Sequence, residues 1–357
     1  MHTIGGLTPT GRKLRGPASD LVELDAPNGL KHTAIVFHPE HRDHNGINDA
    51  LSVVLGFLES PMVSGIIELV GHDQPEGAFL YPTGQVWSLK EVVTALYDRG
   101  EVGGVRAGLE LMYVAGEILK EASDTGASQG VYSHGGLTPW RVMLRKDGQV
   151  QIIGYALPQV EILQFSADPS VKPQTDSFRY CPPERVVYAA EDLSSDLFSL
   201  ALIAFELMTG KPVYDGLVDE IRQQAARAEG SKRLFRFRDK LPQAVRDLLG
   251  QVLRLEQRDR YTDGDSFLSA VSRVLSSPDA TGPSLIDVMG SISSMVPRAG
   301  AVVDSASTSM GTPEQFRKML GEDEAPADGP VRRSFTAPPP ARGPAPPPAA
   351  AAPAAPS

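Results

Sequence analysis

His38, His41 and His44 recur at every third position around Pro39 and Glu40. Neutral imidazoles are the ligand type that zinc and nickel prefer. A metal site also needs a rigid frame, and Asn45-Gly46 follows at once, so the expectation is a solvated loop that holds no metal. Asp259, Asp263 and Asp265 cluster carboxylates, the ligand type for calcium, but the spacing lacks the calcium-loop pattern and its terminal Glu. Capping of a helix start is the expected role there. In Arg332-Arg333-Ser334-Phe335-Thr336, cations flank hydroxyls. Ser334 and Thr336 are candidate phosphosites, because a phosphate there would offer acceptors to an arginine-lined reader. The alternative is an inert linker.

The chain that must position such groups has 357 residues, with 41% hydrophobic and 22% charged residues, enough for a sizeable core. A net charge of −10 provides no electrostatic footprint for nucleic acid and disfavours an anionic membrane. Cys181 is the single cysteine, which excludes an internal disulfide and a cysteine zinc cage. Neither a signal peptide at Met1-His2-Thr3-Ile4 nor an apolar run of about 18 residues is present, so a soluble, cytoplasmic protein without membrane insertion is expected.

Short strands are expected at 20–24, 33–37, 65–70 and 78–81, with one helix over 47–58 between them. After Trp87 the pattern turns helical: Val105, Leu109, Met112, Gly116 and Leu119 lie on one stripe of a helix. Two strands at 142–144 and 151–153 flank the Asp147-Gly148 turn, and helices follow over 193–208, 216–228, 242–255 and 264–275. Beyond Ser276 the composition shifts to small residues and then to a Pro/Ala run, including Pro338-Pro339-Pro340, that cannot bury a core. The expected organisation is a flexible N-terminus 1–13, a β-rich lobe 14–85, a helical lobe 86–276, and a disordered tail 277–357 with a short amphipathic helix at 284–296.

Over residues 14–276 the chain resembles a Hanks-type, bacterial Ser/Thr, protein kinase. Ser133-His134-Gly135-Gly136-Leu137-Thr138-Pro139-Trp140-Arg141-Val142-Met143-Leu144 follows the register of that family's catalytic loop, His-Arg-Asp-Leu-Lys-Pro-x-Asn-Ile-Leu. Gly154-Tyr155-Ala156 falls where Asp-Phe-Gly belongs, and Cys181-Pro182-Pro183-Glu184 looks like the Ala-Pro-Glu region. Ser195-Asp196-Leu197-Phe198 is similar to the helix that carries a buried Asp, and Arg258-Asp259-Arg260 to the signature that ends in a buried Arg. The resemblance implies an α+β, two-lobed protein-kinase-like fold: a small β-rich N-lobe and a larger α-helical C-lobe, followed by the disordered C-terminal tail.

It also implies roles. Glu184 and Arg260 would form an ion pair, and Asp196 would accept from the backbone around His134. The positions that supply phosphoryl-transfer groups would be Val36, Gly136, Arg141 and Gly154, none of which carries the required lysine, carboxylate or amide. The glutamate partner of the missing lysine would fall near Leu51. Gly16 is the one glycine left in the loop that should cradle phosphates. Tyr81, Pro82, Gly84 and Tyr155 would line a vestigial nucleotide cleft, with the Pro82 carbonyl and Gly84 N–H still able to meet an adenine edge.

The expectation is a catalytically inactive pseudokinase without a cofactor, acting in bacterial signalling as a protein-binding scaffold or allosteric regulator. Its partners would be other proteins, such as an active kinase or a phosphopeptide reader. Two alternatives stand: an atypical active phosphotransferase with relocated residues, Lys13 or Lys31 for the lysine and Asp124 or Asp147 for the base, or a kinase-like module that binds a different small ligand.

Overall fold

The structure, a computed structural model, describes residues 3–42, 45, 47, 48, 56, 57, 63–168, 170, 173–292 and 302–303. A six-stranded sheet has the order β4-β5-β3-β2-β1-β9. Its strands are β1 (Thr8–Arg15), β2 (Ser19–Asp25), β3 (Lys31–Phe37), β4 (Gly71–Asp73), β5 (Ala78–Tyr81) and β9 (Val302–Val303). The first five pair antiparallel, and β9 adds to the β1 edge in parallel.

Successive strand residues face opposite sides, and here both faces are apolar. Leu21, Ile35, Phe37, Phe79 and Tyr81 join the main core that runs between the lobes. Val22, Leu24, Ala34, Ala78 and Leu80 form a second cluster on the outer face, closed by Ile4. The N-terminal stretch is therefore part of the sheet, contrary to the flexible 1–13 expected. Ile4 is buried, the Gly5 N–H donates to Asp73 Oδ2 at 2.7 Å, and β1 starts at Thr8. Polar residues at 8–13 hid this strand, because backbone ladder bonds to β2 impose no apolar alternation on a strand whose side chains are mostly half-buried or exposed. The strand expected at 65–70 is also corrected. That stretch is irregular, and β4 lies just after it, where Gly71, His72 and Asp73 pair with Leu80, Phe79 and Ala78. Most of the helix expected over 47–58, Leu51 included, lies outside the described residues.

The second lobe opens with β6 (Trp87–Ser88) and α1 (Leu89–Asp98), started by a capping box in which Ser88 and Glu91 satisfy each other's backbone N–H groups. Helix α2 (Gly104–Gly126) is its axis. Strands β7 (Val142–Leu144) and β8 (Val150–Ile152) form a hairpin beside β6. Then come α3 (Val160–Ala167), α4 (Thr175–Arg179), α5 (Pro183–Val186) and α6 (Leu193–Thr209). Helix α6 is buried all round, as a helix at the centre of a lobe must be. It packs on α2 so closely that a Cβ on Gly108 would sit 2.3 Å from Met208 Cγ.

Helices α7 (Val218–Ala226), α8 (Gly230–Leu234), α9 (Gln243–Val252) and α10 (Gly264–Leu275) complete the helical layer. Asp263 caps α10 by accepting from the Ser266 N–H at 2.7 Å. The folded body does not stop at Ser276. Helix α11 (Leu285–Ile292) buries Leu285, Val288, Met289 and Ile292 against α1 and α2, and the Leu285 N–H donates to Glu110 Oε2 at 2.7 Å. Its apolar spacing was readable, but the groove that receives it was not. Ser334, Thr336 and the Pro/Ala run lie outside the described residues. Among the described residues no helix is long and apolar enough to cross a membrane.

Candidate functional site

The loop between α2 and β7 carries His134, fully buried. Its N–H donates to Asp196 Oδ2 at 2.6 Å from the first turn of α6. Its ring Nε2 is 3.1 Å from the Ile153 carbonyl, which can only accept, so the proton sits on Nε2. Burial, with Arg141 nearby, pushes the imidazole down to about 3, so the ring is neutral. Burial pushes the Asp196 carboxyl up to about 8, against the pull of the His134 and Gly135 backbone N–H groups.

Glu184 and Arg260 meet as a two-pronged ion pair, Nη1 to Oε1 at 2.7 Å and Nη2 to Oε2 at 2.8 Å. Ser195 Oγ donates to the same carboxylate, and the guanidinium also holds the Arg254 and Leu255 carbonyls and lies 4.7 Å from the Phe198 ring centre. Both carboxylate oxygens and all three guanidinium nitrogens are engaged, which is what a buried pair needs to offset its desolvation. Burial would raise the Glu184 carboxyl, but Arg260 holds it below the usual range.

At the floor of the cleft neither Gly136 nor Gly154 leaves a vacancy. A Cβ on Gly136 would lie 2.9 Å from the Leu157 carbonyl oxygen and 3.4 Å from Gln159 Cγ. Gly154 has φ +69°, and a Cβ there would lie 2.5 Å from Arg141 Nη1 and 2.9 Å from Ile35 Cδ1. The Arg141 guanidinium thus occupies the space where a residue-154 side chain would begin. It is buried between Tyr81 and Glu161, and Nη1 has no hydrogen-bond partner among the described residues. Burial pulls Arg141 below its usual range and pushes the Glu161 carboxyl up. A cation already in place opposes a second one, so this floor is a poor magnesium cradle.

The roof is closed as well. Gly16 begins a tight turn, its N–H on the Ser19 carbonyl at 3.1 Å, and Trp140 Nε1 donates to the Arg15 carbonyl at 3.2 Å, pinning that turn to the loop below. Between the turn, Gly136, Arg141 and Glu161 the free volume is about 30 Å³, room for one water rather than a phosphate chain. At the hinge end, Arg12 reaches Glu23 Oε1 and the Val86 carbonyl, both at 2.9 Å, and Glu91 Oε1 at 2.8 Å. The space there, lined by Leu14, Leu21, Thr33 and Met143, is also about 30 Å³, whereas small-molecule sites run to roughly 300–1,000 Å³.

Two expectations about the cleft are corrected. Val36 does not face it: strand alternation turns Val36 to the outer cluster, and Ile35 is the β3 residue whose side chain reaches Gly154. The Gly84 N–H does not wait for a ligand either, since it donates to the Lys31 carbonyl at 3.0 Å. Pro82 precedes the buried Thr83, whose hydroxyl bonds that of Thr33 at 2.8 Å. Tyr81 and Tyr155 are fully buried and fill rather than line. Tyr155 packs on His134 and Phe57, with ring centres 5.4 and 5.5 Å apart. Burial raises both phenols. Next to Tyr155, Ala156 adopts φ +59°, a conformation glycine would hold without strain.

The substitutes considered for catalysis are engaged elsewhere. Lys13 pairs with Asp20 at 2.5 Å, Lys31 with Asp25 at 2.6 Å, and Asp124 with Lys120 at 3.1 Å on the exposed side of α2. Asp147 is exposed in the β7–β8 turn. Arg12, Trp140 and Glu161, which shape the site most, escaped sequence reasoning because no spacing rule ties them to the residues they meet.

The loop expected to be solvated at 38–44 is also different. Pro39–His41 forms a 3-10 turn, His41 is buried, and His38, Glu40 and His41 hold their ligand atoms within 4.8 Å of one another. His44 lies outside the described residues.

A protein kinase domain model matches residues 133–275. The probable serine/threonine-protein kinase PknB of Lactococcus lactis subsp. lactis (strain IL1403) is 24% identical over 165 residues, 46% of this chain and 25% of the relative. The serine/threonine-protein kinase PksC of Streptomyces coelicolor is 26% identical over 159 residues, 43% of this chain and 28% of the relative. The chain thus spans about a quarter of the length of these curated relatives. Among solved structures, a crystal structure of the M. tuberculosis PknI kinase domain superposes with a TM-score of 0.54 at 16% identity, covering 76% of this chain and 98% of that one. The β-rich lobe followed by a helical lobe, the pinned His134 loop and the structural likeness together establish that the chain is built on the protein kinase fold.

Proposed function

We propose that this chain is a pseudokinase, a kinase fold that serves bacterial signalling by binding proteins rather than by transferring phosphate. One observation carries the reading: the space for a base at Gly136 and a metal ligand at Gly154 is taken by the Leu157 carbonyl and the Arg141 guanidinium. Phosphoryl transfer depends on positioned phosphates, metal and hydroxyl. A cleft reduced to two volumes of about 30 Å³ each supports neither nucleotide nor another small ligand of ordinary size. The intact Glu184–Arg260 pair and the Asp196 contact support retention of the helical lobe as a scaffold or allosteric surface. Ser334 and Thr336 are the places where an active kinase would write and a phosphopeptide reader would dock.

The test is a thermal-shift titration with ATP and magnesium together with a radiolabel transfer assay. Neither stabilisation nor label is expected; saturable stabilisation by ATP, or incorporation lost in Lys13→Ala, would sink the proposal. A pull-down comparing the full chain with one ending at residue 304 would assign partners to the folded body or to the tail.

A further inference from the structure

We propose that His38, Glu40 and His41 form a binding site for a borderline divalent cation such as zinc, at the corner where β3 leaves the sheet. The site is independent of the nucleotide cleft.

Three features of the corner support it. The first is composition. Two imidazoles and a carboxylate are the donor set of three-ligand zinc sites, with a fourth position left for water. Cobalt, nickel and copper take the same ligands, whereas magnesium and calcium demand oxygen.

The second is local geometry. Pro39 opens a 3-10 turn that His38 precedes, and the His41 N–H donates to the His38 carbonyl at 2.9 Å, which brings the two histidines together. Their rings stack at 30° with centres 6.2 Å apart. The ligand atoms of all three residues lie within 4.8 Å of one another. Metal bonds of about 2.0–2.1 Å in a tetrahedron separate donors by roughly 3.3 Å, so side-chain movements of at most about 1.5 Å close the site.

The third is the outer shell, which is already built. Metal-bound histidines use their other ring nitrogen on a carboxylate or carbonyl oxygen. His38 Nε2 is 3.1 Å from Asp20 Oδ1, and His41 Nδ1 is 2.6 Å from Gln164 Oε1. Asp20 is itself held by Lys13 Nζ at 2.5 Å, and Gln164 Nε2 donates to the Glu40 carbonyl at 2.9 Å. Gln164 belongs to α3, so an ion here would fasten the sheet's exit turn to the segment that follows Gly154-Tyr155-Ala156 and stabilise the closed cleft.

The probe is the metal alone, added to tag-free full chain stripped with a chelator. Zinc competition against a chromophoric chelator should give one site per chain, and cobalt should give the visible absorption bands of a low-coordinate histidine site. His38→Asn and His41→Asn should each weaken binding at least 100-fold. Glu40→Gln, at an exposed position that leaves the fold intact, should weaken it about 10-fold or more. Gln164→Leu should weaken it by roughly 10-fold while leaving one site. His72→Asn, on β4, should change nothing. Zinc binding unaffected by Glu40→Gln and His38→Asn, or a failure to bind zinc below millimolar concentration, would overturn the proposal.

Discussion

Arg141 and Gly154 are mutually exclusive in size: the guanidinium Nη1 would lie 2.5 Å from a Cβ on residue 154. A side chain cannot be placed at 154 while the Arg141 guanidinium keeps its position. Gly154→Ala should therefore cost about 2–4 kcal/mol, from overpacking and from the left-handed backbone together. In an Arg141→Asn background the guanidinium clash should disappear, leaving about 1–2 kcal/mol of backbone strain and the smaller contact with Ile35. A double-mutant cycle by urea unfolding measures the coupling; additivity of the two changes would refute the packing argument.

The Glu184–Arg260 pair should obey the asymmetry of buried charges. Glu184→Gln or Arg260→Met alone should cost about 3–5 kcal/mol, because each strands a desolvated partner. Replacing both by apolar residues of similar volume should cost less than either single change. Denaturant midpoints for the three variants check it.

His134 should contribute stability that acid removes. The unfolded ring takes a proton near 6.5 and the folded ring only at about 3. Between those values the unfolded chain holds more protons, so the contribution is complete above about 6.5 and lost as pH falls toward 3. Glu184, held below the ordinary range, adds loss in the same direction at the acid end. Asp196, raised to about 8, acts oppositely: its contribution is complete below its ordinary range and fades as pH rises through 8. Between pH 4 and 6.5 the two nearly cancel, so in His134→Gln the Asp196 contribution should stand alone and stability should rise as pH falls from 6.5 to 4, whatever the variant's absolute stability. An unchanged slope would mean that the ring is not the titrating group.

Helix α11 should be an integral part of the body. Met289 is fully buried against the α1–α2 surface, so Met289→Ala should cost about 2–5 kcal/mol. Ile286, exposed on the same helix, should tolerate Ala within about 0.5 kcal/mol. Thermal unfolding of the two variants separates a docked helix from a loosely attached one.

Much of the architecture was legible as pattern. Strands β2, β3 and β5 and helices α2, α6, α7, α9 and α10 emerge from apolar periodicity within a few residues, because each must turn one stripe or face to a core. Strand β1 and the seat of α11 were not legible. The first is held by ladder bonds and a distant Asp73 contact, and the second depends on a groove formed by helices far away in sequence.

The order of amino acids alone determined which groups this cleft can never use, since a glycine at 136 and at 154 has no side chain in any fold. It also determined the anchors at His134, Glu184, Asp196 and Arg260, whose types and spacing are tied to one lobe shape. Only the tertiary structure decided what fills the cleft beside those glycines: Arg141, the Leu157 carbonyl, Trp140 and Arg12 arrive from separate elements. It also decided that Ile35 rather than Val36 faces inward, because strand register sets which side chain points to the cleft, and register is a property of paired strands.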